Sequence, residues 1–119
     1  YRDVDEAQKQ GNERAKLVFD MQNYQIKKYI GAYTAAMNGL DAVVFTGGIG
    51  EHSVDTRRES CSNMSFLGIK IDEERNKETY GSLSLISSDD SRVKVFVIPT
   101  NEELMIARET VDVLNSNNL

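Results

Sequence analysis

The 119-residue sequence contains one cysteine and one histidine, and these low counts exclude two kinds of site. Cys61 cannot form a disulfide within the chain, and one thiol with one imidazole cannot build a Cys/His zinc site. A lone thiol without metal-type neighbours is typical of a reducing cytosol. We therefore expect a cytoplasmic protein in which Cys61 is a small core residue.

Positive charge and long apolar segments are also scarce. The formal net charge is -5, whereas nucleic-acid binding depends on clustered lysine and arginine side chains that attract phosphates. The longest apolar runs, at residues 42–45 and 95–98, are far shorter than the ~20 residues that a membrane-spanning helix requires. The sequence therefore predicts neither a nucleic acid nor a membrane as a partner.

The composition is that of one folded domain, since 39% of the residues are hydrophobic and 28% are charged. The chain begins with Tyr1, Arg2 and Asp3, without an initiator methionine or a signal-type apolar stretch. We expect this beginning to be a boundary within a longer protein.

Two helices are predicted in the first third of the chain. Asp3 and Glu6 have the spacing of a capping box for a short helix, and Asn12 is a suitable N-cap for a longer one. The longer helix should end near the Asn-Gly pair at 38–39, a good C-terminal cap. Its apolar residues recur at the three- and four-residue steps of one helical face: Ala15, Phe19, Ile26, Tyr29, Ile30, Tyr33 and Met37.

A strand, a glycine-rich segment and a third helix should follow. Residues 41–46 are mostly apolar at consecutive positions, which predicts a strand covered on both faces, as in a parallel sheet. Three glycines then interrupt the pattern at residues 47–50. Ser53 is expected to cap the next helix, and Gly68 is expected to end it.

The second half of the chain predicts another strand and helix. Residues 92–98 are strongly β-branched, Pro99 ends this strand, and Thr100 should begin the final helix. Residues 69–72 and 83–86 are weaker strand candidates. Two strong strands, each followed by a helix, indicate an α/β layered fold with right-handed crossovers. Because so few strands make an incomplete sheet, we expect further strands from a preceding segment of the protein.

The first candidate site is the glycine-rich segment at residues 46–53, which follows a predicted strand at the edge where open α/β sheets bind ligands. Glycine permits close backbone approach, and successive N–H groups ahead of a helix attract phosphates. The segment matches neither the Rossmann fingerprint nor the phosphate loop that ends in Gly-Lys-Ser/Thr. Local chemistry therefore leaves two interpretations open, a phosphate-binding loop and a simple turn.

The second candidate site is at residues 100–104, which follow the last strand and therefore lie at the same sheet edge. Thr100 and Glu103 have the spacing of a capping box, which gives Glu103 a structural role and leaves Glu102 without one. Glu102 is a candidate ligand for Mg²⁺, which takes one or two carboxylates together with water and nucleotide oxygens. The alternative is an acidic residue favoured in the first turn by the helix dipole.

Three further polar features have weaker functional interpretations. His52 either contacts a nucleotide or occupies the turn before the next helix. The arginine pair at 57–58 and the lysine pair at 27–28 are interpreted as solvated helix faces.

Residues 41–53, DAVVFTGGIGEHS, resemble the adenosine-binding stretch of acetate kinases. Matching segments continue in order at 66–72, FLGIKID, and at 97–107, VIPTNEELMIA. The stretch before them matches at residues 2–3 and at 11–15, GNERA. The resemblance therefore covers nearly the whole chain.

Acetate kinases belong to the actin, hexokinase and sugar-kinase superfamily, in which two α/β domains close over a nucleotide. The resemblance implies that residues 1–119 are the C-terminal part of the second, nucleotide-binding domain. The implied fold is a partial ribonuclease-H-like (actin-like ATPase) domain, with a mixed sheet flanked by helices. The implied reaction is reversible phosphoryl transfer between ATP and acetate, giving ADP and acetyl phosphate, with Mg²⁺ as cofactor, in a cytoplasmic homodimer.

The resemblance also assigns roles to individual residues. Glu102 corresponds to the Mg²⁺ ligand, and many relatives have asparagine at the position of His52. The family's acetate pocket and its catalytic arginine and histidine are expected upstream, so the isolated chain should be inactive. The residues that correspond to ATP contacts are Arg2, Gly48, Ile49, Gly50, Glu51 and His52.

Two alternatives remain open at the level of the sequence. Propionate and butyrate kinases share the nucleotide domain and differ mainly in the acyl pocket. The chain would otherwise be a non-catalytic lobe that dimerises through the exposed face of its long helix without binding a nucleotide.

Overall fold

The structure, a computed structural model, describes residues 1–116. The sequence predicts that the tail at residues 115–119 frays. Residues 115 and 116 are helical, and residues 117–119 lie outside the described residues. Within residues 1–116, no helix combines the length and apolar character that crossing a membrane requires. A 3-10 turn lies at Ser65–Leu67, and the other elements are α1 (Arg2–Lys9), α2 (Glu13–Ala36), β1 (Ala42–Phe45), α3 (Gly47–His52), α4 (Val54–Cys61), α5 (Glu73–Glu78), β2 (Ser84–Leu85), β3 (Lys94–Val97) and α6 (Glu102–Ser116).

The three strands form a small mixed sheet in the order β1-β3-β2. β1 pairs in parallel with β3, so that Val43 lies opposite Val95, and β2 pairs with β3 in the antiparallel sense. The predicted strand at 69–72 is reduced to two isolated bridges, one of them between Ile69 and Val93. The α/β class and both strong strands of the prediction are thus confirmed.

The core lies between β3 and the helices that follow β1. Val95 and Val97 of β3, and Val93 just before it, occupy alternate positions and are fully buried. Cys61 packs in the same cluster, as predicted, and burial raises the pKa of its thiol to about 12. The core side chain of Cys61 is therefore a thiol at neutral pH and not a reactive thiolate.

The outer side of this layer is open. Val44 of β1 is 49% exposed, so the prediction that this strand is covered on both faces is wrong for the described residues. Helix α6 buries none of its side chains. Large apolar side chains are exposed on α2 and α6, namely Leu17, Val18, Met21, Tyr24, Tyr29, Tyr33, Leu104, Met105, Ile106, Val111, Val113 and Leu114.

Two of the predicted helix caps are present and two predicted helix boundaries differ. Asn12 Oδ1 accepts a hydrogen bond from the Ala15 N–H at 3.0 Å, as expected for an N-cap. Helix α1 begins at Arg2, one residue before Asp3, so the predicted capping box there is wrong. Ser53 caps α4 as predicted, but α4 ends at Cys61, well before Gly68.

Arg57 is the residue that ties the second half of the chain to the glycine-rich segment. The sequence predicted a solvated side chain, but Arg57 is fully buried. Its Nε donates to Asn76 Oδ1 at 2.7 Å, and Nη1 donates to the carbonyl oxygens of Gly50 at 2.9 Å and Glu51 at 3.1 Å. Nη2 donates to the carbonyl oxygens of Asn76 at 3.0 Å and Thr79 at 2.8 Å.

These contacts use all five N–H groups of the guanidinium, which is why the charge can be buried among the described residues without a carboxylate partner. Burial lowers the pKa of Arg57 from its usual value. Asn76 is itself fixed, because its Nδ2 donates to the Val54 carbonyl at 3.0 Å. Arg57 therefore joins α3, α4 and α5 in a single hydrogen-bonded unit.

Replacing Arg57 with methionine should lower the free energy of unfolding by at least about 3 kcal/mol, because several buried acceptors lose their donors at once. Arg58→Met is the matched control, since Arg58 is 38% exposed at its side chain and pairs with Asp55 and Glu59 at the surface. The control should change stability by less than about 1 kcal/mol. Denaturant unfolding measures both, and equal losses for the two variants would refute the role given to Arg57.

Candidate functional site

A cleft of about 610 Å³ lies between the start of α1 and the glycine-rich segment. It brings together four of the residues predicted from the sequence to bind a ligand, Arg2, Gly48, Ile49 and His52. The other lining residues are Tyr1, Asp5, Ser53 and Tyr80.

Tyr1, the residue before α1, holds the start of this helix against α4. The Tyr1 hydroxyl lies 3.0 Å from Ser53 Oγ and also hydrogen-bonds Thr56 Oγ1. Arg2 is left at the rim, where its side chain is 89% exposed and, within residues 1–116, pairs only with Glu6. An exposed ion pair of this kind is weak, so the guanidinium can turn towards a ligand at little cost.

The glycine-rich segment forms the short helix α3 and not the predicted loop ahead of a helix. Gly47 has φ of 71°, a left-handed conformation that favours glycine. A Cβ on Gly50 would lie 3.1 Å from the carbonyl carbon of Phe45, so α3 packs closely against the end of β1. Gly48 is different, because a Cβ there would meet nothing within 4 Å. Gly48 therefore presents bare backbone to the cleft.

Glu51 links α3 to the segment that precedes α6. Its Oε1 accepts hydrogen bonds from the Gly47 N–H and the Thr100 N–H, both at 2.9 Å, and from Thr100 Oγ1 at 3.1 Å. The Thr100 N–H is the main cause of the lowered pKa of Glu51. The carboxylate therefore stays ionised and accepts hydrogen bonds from its own chain. One of these donors is the Gly47 N–H, which belongs to the segment predicted from the sequence to bind a phosphate.

The predicted capping box of Thr100 and Glu103 is wrong. Thr100 is engaged by Glu51, and Asn101 caps the helix instead by accepting from the Leu104 N–H at 3.0 Å. Helix α6 consequently begins at Glu102. Glu103 therefore does not have the helix-capping role that distinguished it from Glu102 in the sequence analysis.

A second cleft, of about 400 Å³, adjoins α3. It is lined by Gly48, Glu51, Thr100, Asn101, Glu102 and Glu103. Gly48 lines both clefts, so the two predicted sites meet at this residue as the shared sheet edge had suggested.

The acidic rim of the second cleft suits a metal that is held only partly by protein. Glu102 and Glu103 are both exposed in the first turn of α6. Over residues 1–116, no group of three or more His, Cys, Asp or Glu side chains is arranged to hold a metal ion. One or two carboxylates fit Mg²⁺, whose remaining ligands are then water and phosphate oxygens.

His52 is built into the wall of the first cleft. Its Nδ1 lies 2.9 Å from the Gly48 carbonyl oxygen, which can only accept, so Nδ1 carries the proton. The imidazole meets the Tyr80 ring edge to face, with centroids 4.6 Å apart. Sequence reasoning did not single out Tyr80, and its only local signal was an aromatic residue beside a glycine in a polar stretch.

Comparison with known proteins identifies the family. Residues 1–108 match the model of the acetokinase family. The chain is 56% identical over 114 residues to the acetate kinase of Thermotoga maritima. This alignment covers 95% of this chain and 28% of that protein. The chain thus spans little more than a quarter of the length of such relatives.

Solved structures agree with the sequence match. The acetate kinase of Porphyromonas gingivalis superposes with a TM-score of 0.85 at 49% identity, covering 95% of this chain and 28% of that one. A propionate kinase from Francisella tularensis superposes with a TM-score of 0.78 at 38% identity, covering 91% of this chain and 27% of that one. The mixed sheet flanked by helices is therefore part of a ribonuclease-H-like, actin-like ATPase domain, and the chain belongs to the acetokinase family.

Proposed function

We propose that residues 1–119 form the C-terminal part of the second, nucleotide-binding domain of an acetate kinase. The whole protein would be a cytoplasmic, homodimeric phosphotransferase that interconverts ATP and acetate with ADP and acetyl phosphate. The observation that carries the proposal is the meeting of two clefts at Gly48, in a chain of the acetokinase family. The open apolar faces of α2 and α6 support a place within a larger assembly.

In this proposal the nucleotide lies across α3. The larger cleft, with Arg2, Ile49 and His52, receives the adenosine, and the polyphosphate passes over the bare backbone of Gly48 into the second cleft. Gly50 and Glu51 act indirectly, since Gly50 allows α3 to pack on β1 and Glu51 holds Thr100.

Charge explains why a divalent cation belongs in the second cleft. The carboxylates of Glu102 and Glu103 would repel the phosphates of a nucleotide that approached alone. Mg²⁺ bound at Glu102 would neutralise phosphate charge and orient the terminal phosphoryl group. The residues described here bind and position the nucleotide, and the acceptor would be held by parts of the protein outside this chain.

Two alternative functions differ in the observations that support them. A propionate or butyrate kinase is favoured by the similarity to the Francisella tularensis propionate kinase. A non-catalytic dimerisation lobe is favoured only by the exposed apolar residues of α2 and α6, which a dimeric enzyme also explains.

The proposed function is tested by assaying the full-length protein with ATP and acetate, propionate or butyrate. We expect acyl phosphate formation with acetate as the best acceptor, and none from the 119-residue chain alone, because we expect the acceptor pocket in another part of the protein. Preference for propionate or butyrate would select the alternative kinases, whereas no ATP-dependent transfer to any of the three would reject the proposal. Turnover by the 119-residue chain would contradict the assignment of the acyl pocket to the missing part.

The path of the nucleotide is tested by Gly48→Ala in the full-length protein. A methyl group at this position of α3 would meet no protein atom within 4 Å and favours a helix, so stability should not fall. It would intrude on a bound nucleotide, and apparent affinity for Mg-ATP should drop by about tenfold or more.

Gly31→Ala is the matched control for this variant. Gly31 is also helical, a Cβ there meets nothing within 4 Å, and Gly31 lies in α2 away from both clefts. Nucleotide titration and thermal unfolding of both variants distinguish the outcomes. An affinity within about twofold of the parent for Gly48→Ala would show that no ligand crosses α3 there.

The metal contact is tested by comparing Glu102→Gln with Glu103→Gln, since both side chains line the second cleft. Glu102→Gln should raise the Mg²⁺ concentration that gives half-maximal activity severalfold, because a neutral amide is a weaker ligand than a carboxylate. Glu103→Gln should have a smaller effect. A larger effect of Glu103→Gln in the same titration would transfer the metal contact to Glu103.

A further inference from the structure

Tyr80 combines exposure with a fixed position, which sets it apart from other surface aromatic residues. Its side chain is 70% exposed and lines the larger cleft. Isolated exposed aromatic residues are common and need no explanation. Tyr80 differs because the backbone on either side of it is anchored to the centre of the domain.

The anchors lie immediately before and after Tyr80. The Thr79 carbonyl accepts from Arg57 Nη2 at 2.8 Å, and the Gly81 N–H donates to the Glu51 carbonyl at 3.1 Å. Gly81 has φ of 63°, and a Cβ there would lie 3.0 Å from His52 Nε2. Glycine at 81 therefore allows the turn to close directly onto the imidazole.

His52 fixes the orientation of the Tyr80 ring. The imidazole is itself held by a hydrogen bond to the Gly48 carbonyl. Its plane makes an angle of 64° with the plane of the Tyr80 ring. An edge-to-face contact of this kind is favourable and leaves the other face of the phenol ring uncovered. A ring that is positioned before binding loses little conformational freedom when a ligand stacks on it.

The start of α1 adds polar and charged groups to the lining of the same cleft. Tyr1, Arg2 and Asp5 are among its lining residues, and Ile49 contributes apolar surface. A flat, partly aromatic ligand with hydrogen-bonding edges matches this combination. A nucleobase has both properties, and a cleft of about 610 Å³ has room for it with its ribose.

We propose that Tyr80 is the base-stacking residue of the larger cleft, that His52 is its positioning residue, and that the stacked surface favours purine over pyrimidine nucleotides. The proposal rests on the proposed nucleotide-binding function. A purine presents two fused rings to the phenol face, so it loses more than a pyrimidine when that face is removed. His52 thereby has a role that requires no direct contact with the nucleotide.

The test uses the full-length protein with Tyr80→Ser, Tyr80→Phe and the control Leu83→Ser. Leu83 is 71% exposed, close to the 70% of Tyr80, and is not among the residues of the larger cleft. The measurements are KM and kcat with ATP and with CTP, equilibrium binding of Mg-ATP, and thermal unfolding.

Tyr80→Ser should raise KM and the dissociation constant for ATP by about 5- to 20-fold, in the lower part of the range for loss of one stacked base. The change in kcat should stay within about twofold, since the phosphoryl group is held elsewhere. KM for CTP should rise less than KM for ATP. Tyr80→Phe, which keeps the ring, and Leu83→Ser should resemble the parent in every measurement.

Three outcomes would overturn the proposal. The first is an ATP affinity of Tyr80→Ser within about twofold of the parent. The second is an equal loss for ATP and CTP, which would indicate a disturbed turn. The third is failure of the parent to bind Mg-ATP at all, which would also remove the proposed function. If the parent binds ATP in a Tyr80-dependent way but transfers no phosphate to a carboxylate, the proposed function fails and this assignment stands.

Discussion

Burial of the Arg57 guanidinium among main-chain carbonyl groups is the interaction on which the arrangement of this chain depends. Five donors meet five acceptors contributed by the end of α3, by Asn76 and by Thr79. The net energy of each such bond is modest, but an unpaired member would cost more than a formed bond contributes. The elements that it joins therefore keep their positions together.

The hydrogen bonds from Thr100 to the Glu51 carboxylate also constrain α3, the helix that Arg57 contacts. Arg57 holds the carbonyl groups of Gly50 and Glu51, and the Glu51 side chain holds the start of the segment leading to α6. As a result, Gly48 lies on a helix that is constrained at both the backbone and the side chain. The walls of the two clefts are thus fixed relative to each other by hydrogen bonds within the chain.

The sequence predicted those features that depend on neighbouring residues. β1 and β3 follow from runs of β-branched and apolar residues, and the caps at Asn12 and Ser53 follow from local side-chain chemistry. Two of the errors arose where a distant partner decided the outcome. Glu51 takes the Thr100 hydroxyl from 49 positions away, so the capping role passes to Asn101. Two adjacent arginines look alike in sequence, and only the packing of α4 shows that Arg57 is the buried one.

The chemistry of the Arg57 acceptors also affects how the cleft can vary in sequence. Four of the five are carbonyl oxygens of the main chain, and the fifth is the side chain of Asn76. Every residue type carries a carbonyl oxygen, so exchanging a side chain beside Arg57 other than that of Asn76 does not by itself remove an acceptor. The turn that presents Tyr80 can therefore change its side chain while its backbone stays in place. If Tyr80 stacks on a nucleobase as proposed, ligand preference can change at this turn without loss of structural integrity.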